Sequence, residues 1–411
     1  MGLSPVITRV LSVPGLETNT IFVGLVVDGN RIAWGNCVQA ASPFQPESYP
    51  HFEAEEARQS IQEMVVPILT GRPLADFKVL VAGIDAVRET AVITHHQPQP
   101  QNPTGSVSRR DFLTGRLWAT ESGTKQITVE RPLHPAIRFG VSQALAAALA
   151  QEQGVTLAEL IAADYNLPRS PLPVPIHLEL DGEEAVPEAS LLTPKIGSLG
   201  YRIAGDNPQA QLGKSGERLQ QFVRQLAAFI THAAPPSYRP TIHLDVAGGL
   251  GQLFDNDAGR ILGALYGLEQ AAKPYQVRVA DPALLDEQET QMELMGQIKE
   301  YIRIRGLKLQ LAAVAGIHSL ADVEAFVQAE AADYLVLSMP RLGSIHQVVQ
   351  AILTCQRGEA AVILEGPAET AVPIALAAQP QLIAASAGPH GHRALSKVHD
   401  EMTRTLVWLM A

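Results

Sequence analysis

"TIHLDVAGGLGQLFDND" occupies residues 241–257. Its first six residues make a β-rich apolar run, interrupted by His243 and Asp245, and the glycines that follow end the strand in a turn. Side chains alternate across a strand, so His243 and Asp245 point the same way. A carboxylate at the end of a buried strand is costly to place, and metal binding or proton transfer often accounts for one. The run is therefore a structural element and a candidate site at once.

Runs of the same kind recur on both sides of it: "PIHLEL" from Pro175, "GYRIAG" from Gly200, "YQVRVAD" from Tyr275 and "LKLQLAAV" from Leu307. "DYLVLSM" from Asp333, "AAVILEG" from Ala360 and "QLIAASA" from Gln381 complete the set. Helical patterns such as "SGERLQQFVRQLAAFITHA" and "SIHQVVQAILTCQRG" separate most of them. Eight strands alternating with helices predict a modified (β/α)8 TIM-type barrel, a fold of about 250 residues. An open doubly wound sheet is the rival. The barrel is preferred because the count is eight and no phosphate-binding glycine fingerprint follows the first strand.

The first part of the chain has another rhythm. "TNTIFVGLVVDGNRIAWGN" places two β-rich runs around Asp28-Gly29-Asn30, a hairpin pattern. "FEAEEARQSIQEMVVPILTG" opens with acids and closes on Gly71, as a helix does. Residues 95–125 are polar and broken by Pro and Gly, and read as a long surface loop or insertion. "HPAIRFGVSQALAAALAQEQG" predicts a helix with Pro135 in its first turn. The expected division is an N-terminal α+β capping domain over residues 1–170 and a barrel over residues 171–411.

Composition narrows the class. Of 411 residues, 46% are hydrophobic, enough for a large core and against disorder over most of the length. A net charge of −11 without basic runs argues against nucleic-acid or anionic-membrane partners. Cys37 and Cys355 are the only cysteines, far apart and without zinc-type spacing. No charged start followed by an apolar stretch and no membrane-length apolar run is present, so a cytoplasmic, soluble protein is expected.

In a barrel of this type ligand chemistry sits at the C-terminal ends of the strands. There the first strand offers His177 and Glu179, the third His243 and Asp245, the seventh Glu365. One reading is a polar cluster at the mouth. The other is a satisfied buried set that fills the barrel.

Several stretches together resemble the methylaspartate ammonia-lyase family of the enolase superfamily. They are "LHPAIRFGVSQALAAALA" and "VTLAELIAADYN" before the barrel, "IHLDVAGGLGQLFD", "AAKPYQVRVADP", "QMELM" and "MPRLGSI", in the family's order and spacing. The resemblance spans most of the chain except about residues 95–125. It implies an N-terminal cap over the barrel, a homodimer, and Mg²⁺-assisted elimination of ammonia from 3-methylaspartate to give mesaconate. In that chemistry three carboxylates hold the metal, a lysine removes the proton, a histidine assists, and the metal stabilises the enolate-like charge.

Carried over residue by residue, the resemblance places Asp245 as the first metal ligand. The second ligand's place is Ala280, with Asp281 one step further and so expected on the opposite face unless a bulge intervenes. The third falls near Val314 and the lysine's place is Ser338. The histidine's place is around Tyr201 or Arg202, a substrate-binding glutamine's is Glu179, and a second glutamine's is near Ala41, after Asn36-Cys37. Magnesium prefers an octahedron of oxygens, and serine is a poor base unless activated.

The expected site is therefore Glu179, His243 and Ser338 as catalytic candidates, His177, Arg202 and Glu365 for substrate, and Asp245 for metal, with Mg²⁺ doubtful. Glu179 with Asp245 could form an acid–base pair split by repulsion. His390 and His392 with Glu365 could bind a metal, and His318 also follows a strand; Arg109 and Arg110 are solvated, or reach an anionic ligand or a neighbouring subunit. The reading ranked first is a family member that has lost ammonia elimination and serves as a binding or partner subunit. Its ligand would be a small acid or amino acid, and it would form a homodimer or pair with a related chain. An enzyme with a reworked site, or an active ammonia-lyase, are the alternatives.

Overall fold

The structure is a computed structural model that describes residues 4–15, 19–39, 51–98, 122–168, 172–180, 187–203, 205, 207–386 and 391–410. In the second part, eight strands close into a barrel. They are β6 (Ile176–Leu180), β7 (Ile196–Arg202), β8 (Thr241–Asp245), β9 (Gln276–Ala280), β10 (Gln310–Ala313), β11 (Tyr334–Ser338), β12 (Ala361–Glu365) and β13 (Leu382–Ser386). Each pairs in parallel with its neighbours, and β13 closes on β6. Intervening helices start at side-chain caps: Asp257 accepts the N–H of Arg260, Ser319 that of Asp322, and Ser344 that of Gln347.

Two strands differ from their sequence pattern. β7 begins at Ile196, ahead of the "GYRIAG" run, because Gly197, Ser198 and Gly200 dilute the apolar signal. Gly200 is needed there: a Cβ would sit 2.6 Å from Cε1 of His177. β10 begins at Gln310, three residues after Leu307, and spans only four residues.

Three antiparallel strands open the chain: β1 (Ile7–Pro14), β2 (Ile21–Val27) and β3 (Arg31–Cys37). The predicted hairpin turns through Asp28 and Gly29, both left-handed. The helical stretch Ala54–Leu69 carries a π turn at Ile61–Val65, two residues before Pro67, which has no N–H to continue the ordinary ladder. Within the expected surface loop, the ends are an antiparallel ribbon instead: β4 (Arg88–Pro98) pairs with β5 (Ser122–Pro132). Alternating Thr, Val and Ile at its base favours strand pairing. Residues 99–121, with Arg109 and Arg110, lie outside the described residues.

The helix Pro135–Gln153 ties this sheet to the barrel. β3 packs so closely on it that a Cβ on Gly35 would meet the carbonyl oxygen of Gly140 at 1.8 Å. At the barrel end, Asp85 accepts from Arg138 Nη1 at 3.2 Å and from Ser344 Oγ at 2.7 Å, while Ser142 Oγ accepts the Ile345 N–H at 2.9 Å. The turn after β11 is thus clamped from the N-terminal part. Among the described residues no helix is long and apolar enough to cross a membrane.

Candidate functional site

The C-terminal ends of the barrel strands surround a cavity of about 470 Å³. His177, Glu179, His243 and Asp245 all line it, as strand alternation requires. Arg202, Ser338 and Glu365 line it too. Val38 and Gln39, just past β3, reach it from the N-terminal sheet.

The floor is a stack of nitrogen groups. The rings of His177 and His243 meet edge to face with centroids 4.8 Å apart, and His177 Nδ1 lies 3.0 Å from Ser198 Oγ. Arg278 is also buried, its guanidinium 3.5 Å from the Tyr334 ring centroid. Burial first, and the Arg278 charge second, push His177 down to about 3. Burial, then His177 and Arg278, hold His243 well below the ordinary histidine range. Both rings are therefore neutral at ordinary pH, suited to hydrogen bonding rather than to carrying protons.

One wall carries paired carboxyls. Glu179 on β6 and Glu365 on β12 project from either side of β13 and are hydrogen-bonded to each other. Burial, then the Glu365 charge, push Glu179 up to about 8. Burial also raises Glu365, opposed by Arg341 and by the hydrogen bond from Glu179. The pair accordingly shares a proton.

On the other side Asp245 Oδ1 accepts the Ala247 N–H at 3.1 Å, and Oδ2 lies 3.9 Å from Arg202 Nε. Burial raises this carboxyl; Arg202 and the N–H oppose the rise. In register, Asp245 sits beside Ala280, and Ala280 beside Ala312. Val314, at the third ligand's place, is an apolar residue of the cavity wall. Asp281 leaves the strand alternation through a left-handed turn, φ 43°, rather than a bulge. Its carboxylate accepts the N–H groups of Val314 at 3.1 Å and Ala315 at 2.8 Å. Burial, then Asp245, push it up to about 7. Among the described residues no group of three His, Cys, Asp or Glu side chains is placed to hold a metal ion. Among the described residues, then, the donors do not make up an octahedral magnesium centre.

Arg341 escaped the sequence reading. It lies in "MPRLGS" immediately after β11, is 3% exposed, and lines the cavity. Its Nη1 donates to the Val314 carbonyl at 3.3 Å. The available signal was a lone charge in an apolar turn at a strand's C-terminal end. His318 stands off the cavity wall and is pushed down to about 4 by burial and then by Arg341. Ala41, His390 and the side chain of His392 lie outside the described residues.

A closed parallel barrel with acids and bases at its strand ends is thus joined to an N-terminal α+β unit. The fold is shared with muconate cycloisomerase from Pseudomonas fluorescens at TM-score 0.57 and 11% identity, over 92% of this chain and 83% of that one. Much nearer is the crystal structure of Citrobacter amalonaticus methylaspartate ammonia lyase containing (2S,3S)-3-methylaspartic acid. It matches at TM-score 0.78 and 24% identity, over 95% of this chain and 88% of that chain. Methylaspartate ammonia-lyase 2 of Carboxydothermus hydrogenoformans is 28% identical over 397 residues, 95% of this chain and 86% of that protein. The models for the methylaspartate ammonia-lyase C-terminus and N-terminus match residues 202–411 and 107–166. The chain belongs to the methylaspartate ammonia-lyase family. The N-terminal match begins at residue 107, so much of the stretch excepted from the resemblance falls within the family pattern.

Proposed function

We propose that this family member does not carry out magnesium-assisted elimination of ammonia, and that it binds a small acid or amino acid in the barrel mouth as a binding or partner subunit. The observation that carries the reading is the register of β8–β10. It sets Asp245 beside Ala280, and the one further acid, Asp281, is turned onto main-chain N–H groups. The base's place is held by Ser338, a poor base unless activated, in register with Glu365. Loss of metal ligands and base together lowers such a reaction by many orders of magnitude, because these groups act as a unit.

The test uses the purified full chain with (2S,3S)-3-methylaspartate and Mg²⁺, following mesaconate by its ultraviolet absorbance. No rise above the protein-free rate is expected. Sustained turnover would overturn the reading. A partner role further predicts co-purification with a second copy or a related chain.

One observation favours a second reading, a reworked enzyme: the hydrogen-bonded Glu179–Glu365 pair holds one proton to give and one carboxylate to receive. A thermal-shift screen of amino and hydroxy acids separates the two. Stabilisation without conversion supports binding; conversion supports the reworked enzyme.

A further inference from the structure

The charges that face this cavity balance without a metal. Asp245 has Arg202 near it, and Glu365 has Arg341, while Glu179 and Glu365 share a proton. The position of Arg341 is the informative one. Its Nη1 donates to the carbonyl of Val314, the residue at the third ligand's place. Its charge acts on Glu365 and Asp281, the acids on either side. The turn that carries it is rigidly held: Gly343, φ 99°, packs on the Arg138 guanidinium, and Asp85 fixes both Arg138 and Ser344.

The side chain is nearly fully buried yet lines the cavity, and its Nε finds no partner among the described residues. An unpaired buried donor is costly, and a guanidinium edge is the geometric complement of a carboxylate. A plain ammonium lacks that planar fork.

We infer that Arg341 is the cation of this mouth in place of a divalent ion, and that its guanidinium anchors the carboxylate of a small-acid ligand with no metal required. This rests on the binding reading above and names the residue that performs it. Arg202, on the opposite wall and half-exposed, suits a second carboxylate, so the probe is succinate.

The experiment is calorimetric titration of the full chain with succinate, once in EDTA and once in excess Mg²⁺. Saturable binding of equal affinity in both is expected. Arg341→Gln should weaken it about ten- to hundred-fold, the worth of a charge-assisted hydrogen bond, and Arg341→Lys should recover part of the loss. No binding, a requirement for Mg²⁺, or wild-type affinity in R341Q would each overturn the inference. The wild-type titrations decide the metal question even if R341Q fails to fold. Turnover of methylaspartate would sink the earlier reading; full succinate affinity in R341Q with no turnover sinks this one alone.

Discussion

The two halves of the barrel mouth treat acids in opposite ways. Along β8–β10, Asp245 faces the cavity beside Ala280, and Asp281 is turned away onto the N–H groups of residues 314 and 315. Across the mouth, Glu179 and Glu365 lie close enough to hydrogen-bond to each other. Three converging carboxylates repel one another and need a divalent ion; two buried ones are satisfied by a proton. The contrast teaches that this mouth is neutralised by a proton and by guanidinium groups. In the β8–β10 half Asp281 serves main-chain N–H groups, and in the β12–β6 half two carboxyls face each other.

The sharpest way to break that contrast is to ask whether Asp281 is structural. Asp281→Ala orphans two main-chain N–H groups and should lower unfolding stability by about 3 kcal/mol, the penalty for two lost acceptors. Denaturant unfolding with and without Mg²⁺ reads the result. Magnesium-dependent stability in the wild type, abolished in D281A, would make Asp281 a ligand and reverse the assignment of that half.

A smaller effect sharpens the other half. Glu179 and Asp281 hold their protons more tightly folded than unfolded, so their contribution to stability is present at low pH and lost as pH rises through about 8 and about 7. The buried neutral histidines act in the opposite direction, losing stability as pH falls below their ordinary value of 6.5. Above that value only the carboxyls matter, so stability should decline between pH 6.5 and about 8, by roughly 2 kcal/mol from Glu179. Glu179→Gln keeps a donor for Glu365 and removes the proton, so the decline should shrink. An unchanged slope in E179Q would place the proton elsewhere.

The weakest expected effect belongs to Arg202, 47% exposed and 3.9 Å from Asp245. Arg202→Gln should change stability by less than about 1 kcal/mol, as for exposed ion pairs. A larger loss would mean that Asp245 depends on Arg202 as Glu365 depends on Arg341.

Much of the mouth was legible because strand parity is local. His177 with Glu179, and His243 with Asp245, share a face for the same reason in any sheet, and all four line the cavity. The runs "IHLEL" and "TIHLD" needed no tertiary context to be read as strands. β7 was misplaced at its start because its glycines, one of them making room for His177, carry no apolar signal. The turn of Asp281 was missed because a left-handed residue after a strand leaves no period to read. Arg341 was passed over because its burial depends on a clamp from Asp85, far away in the chain.

The sequence by itself determined the strand count, the faces on which the polar residues stand, and the absence of carboxylates at Ala280, Val314 and Ser338. Those follow from side-chain identity and a repeat of two. Only the tertiary structure decided that Glu179 meets Glu365, that Asp281 serves the main chain, and that Arg341 enters the cavity. Each of these depends on barrel closure or on the packing of the N-terminal unit, and the burial that sets their charge states exists only once the chain has closed.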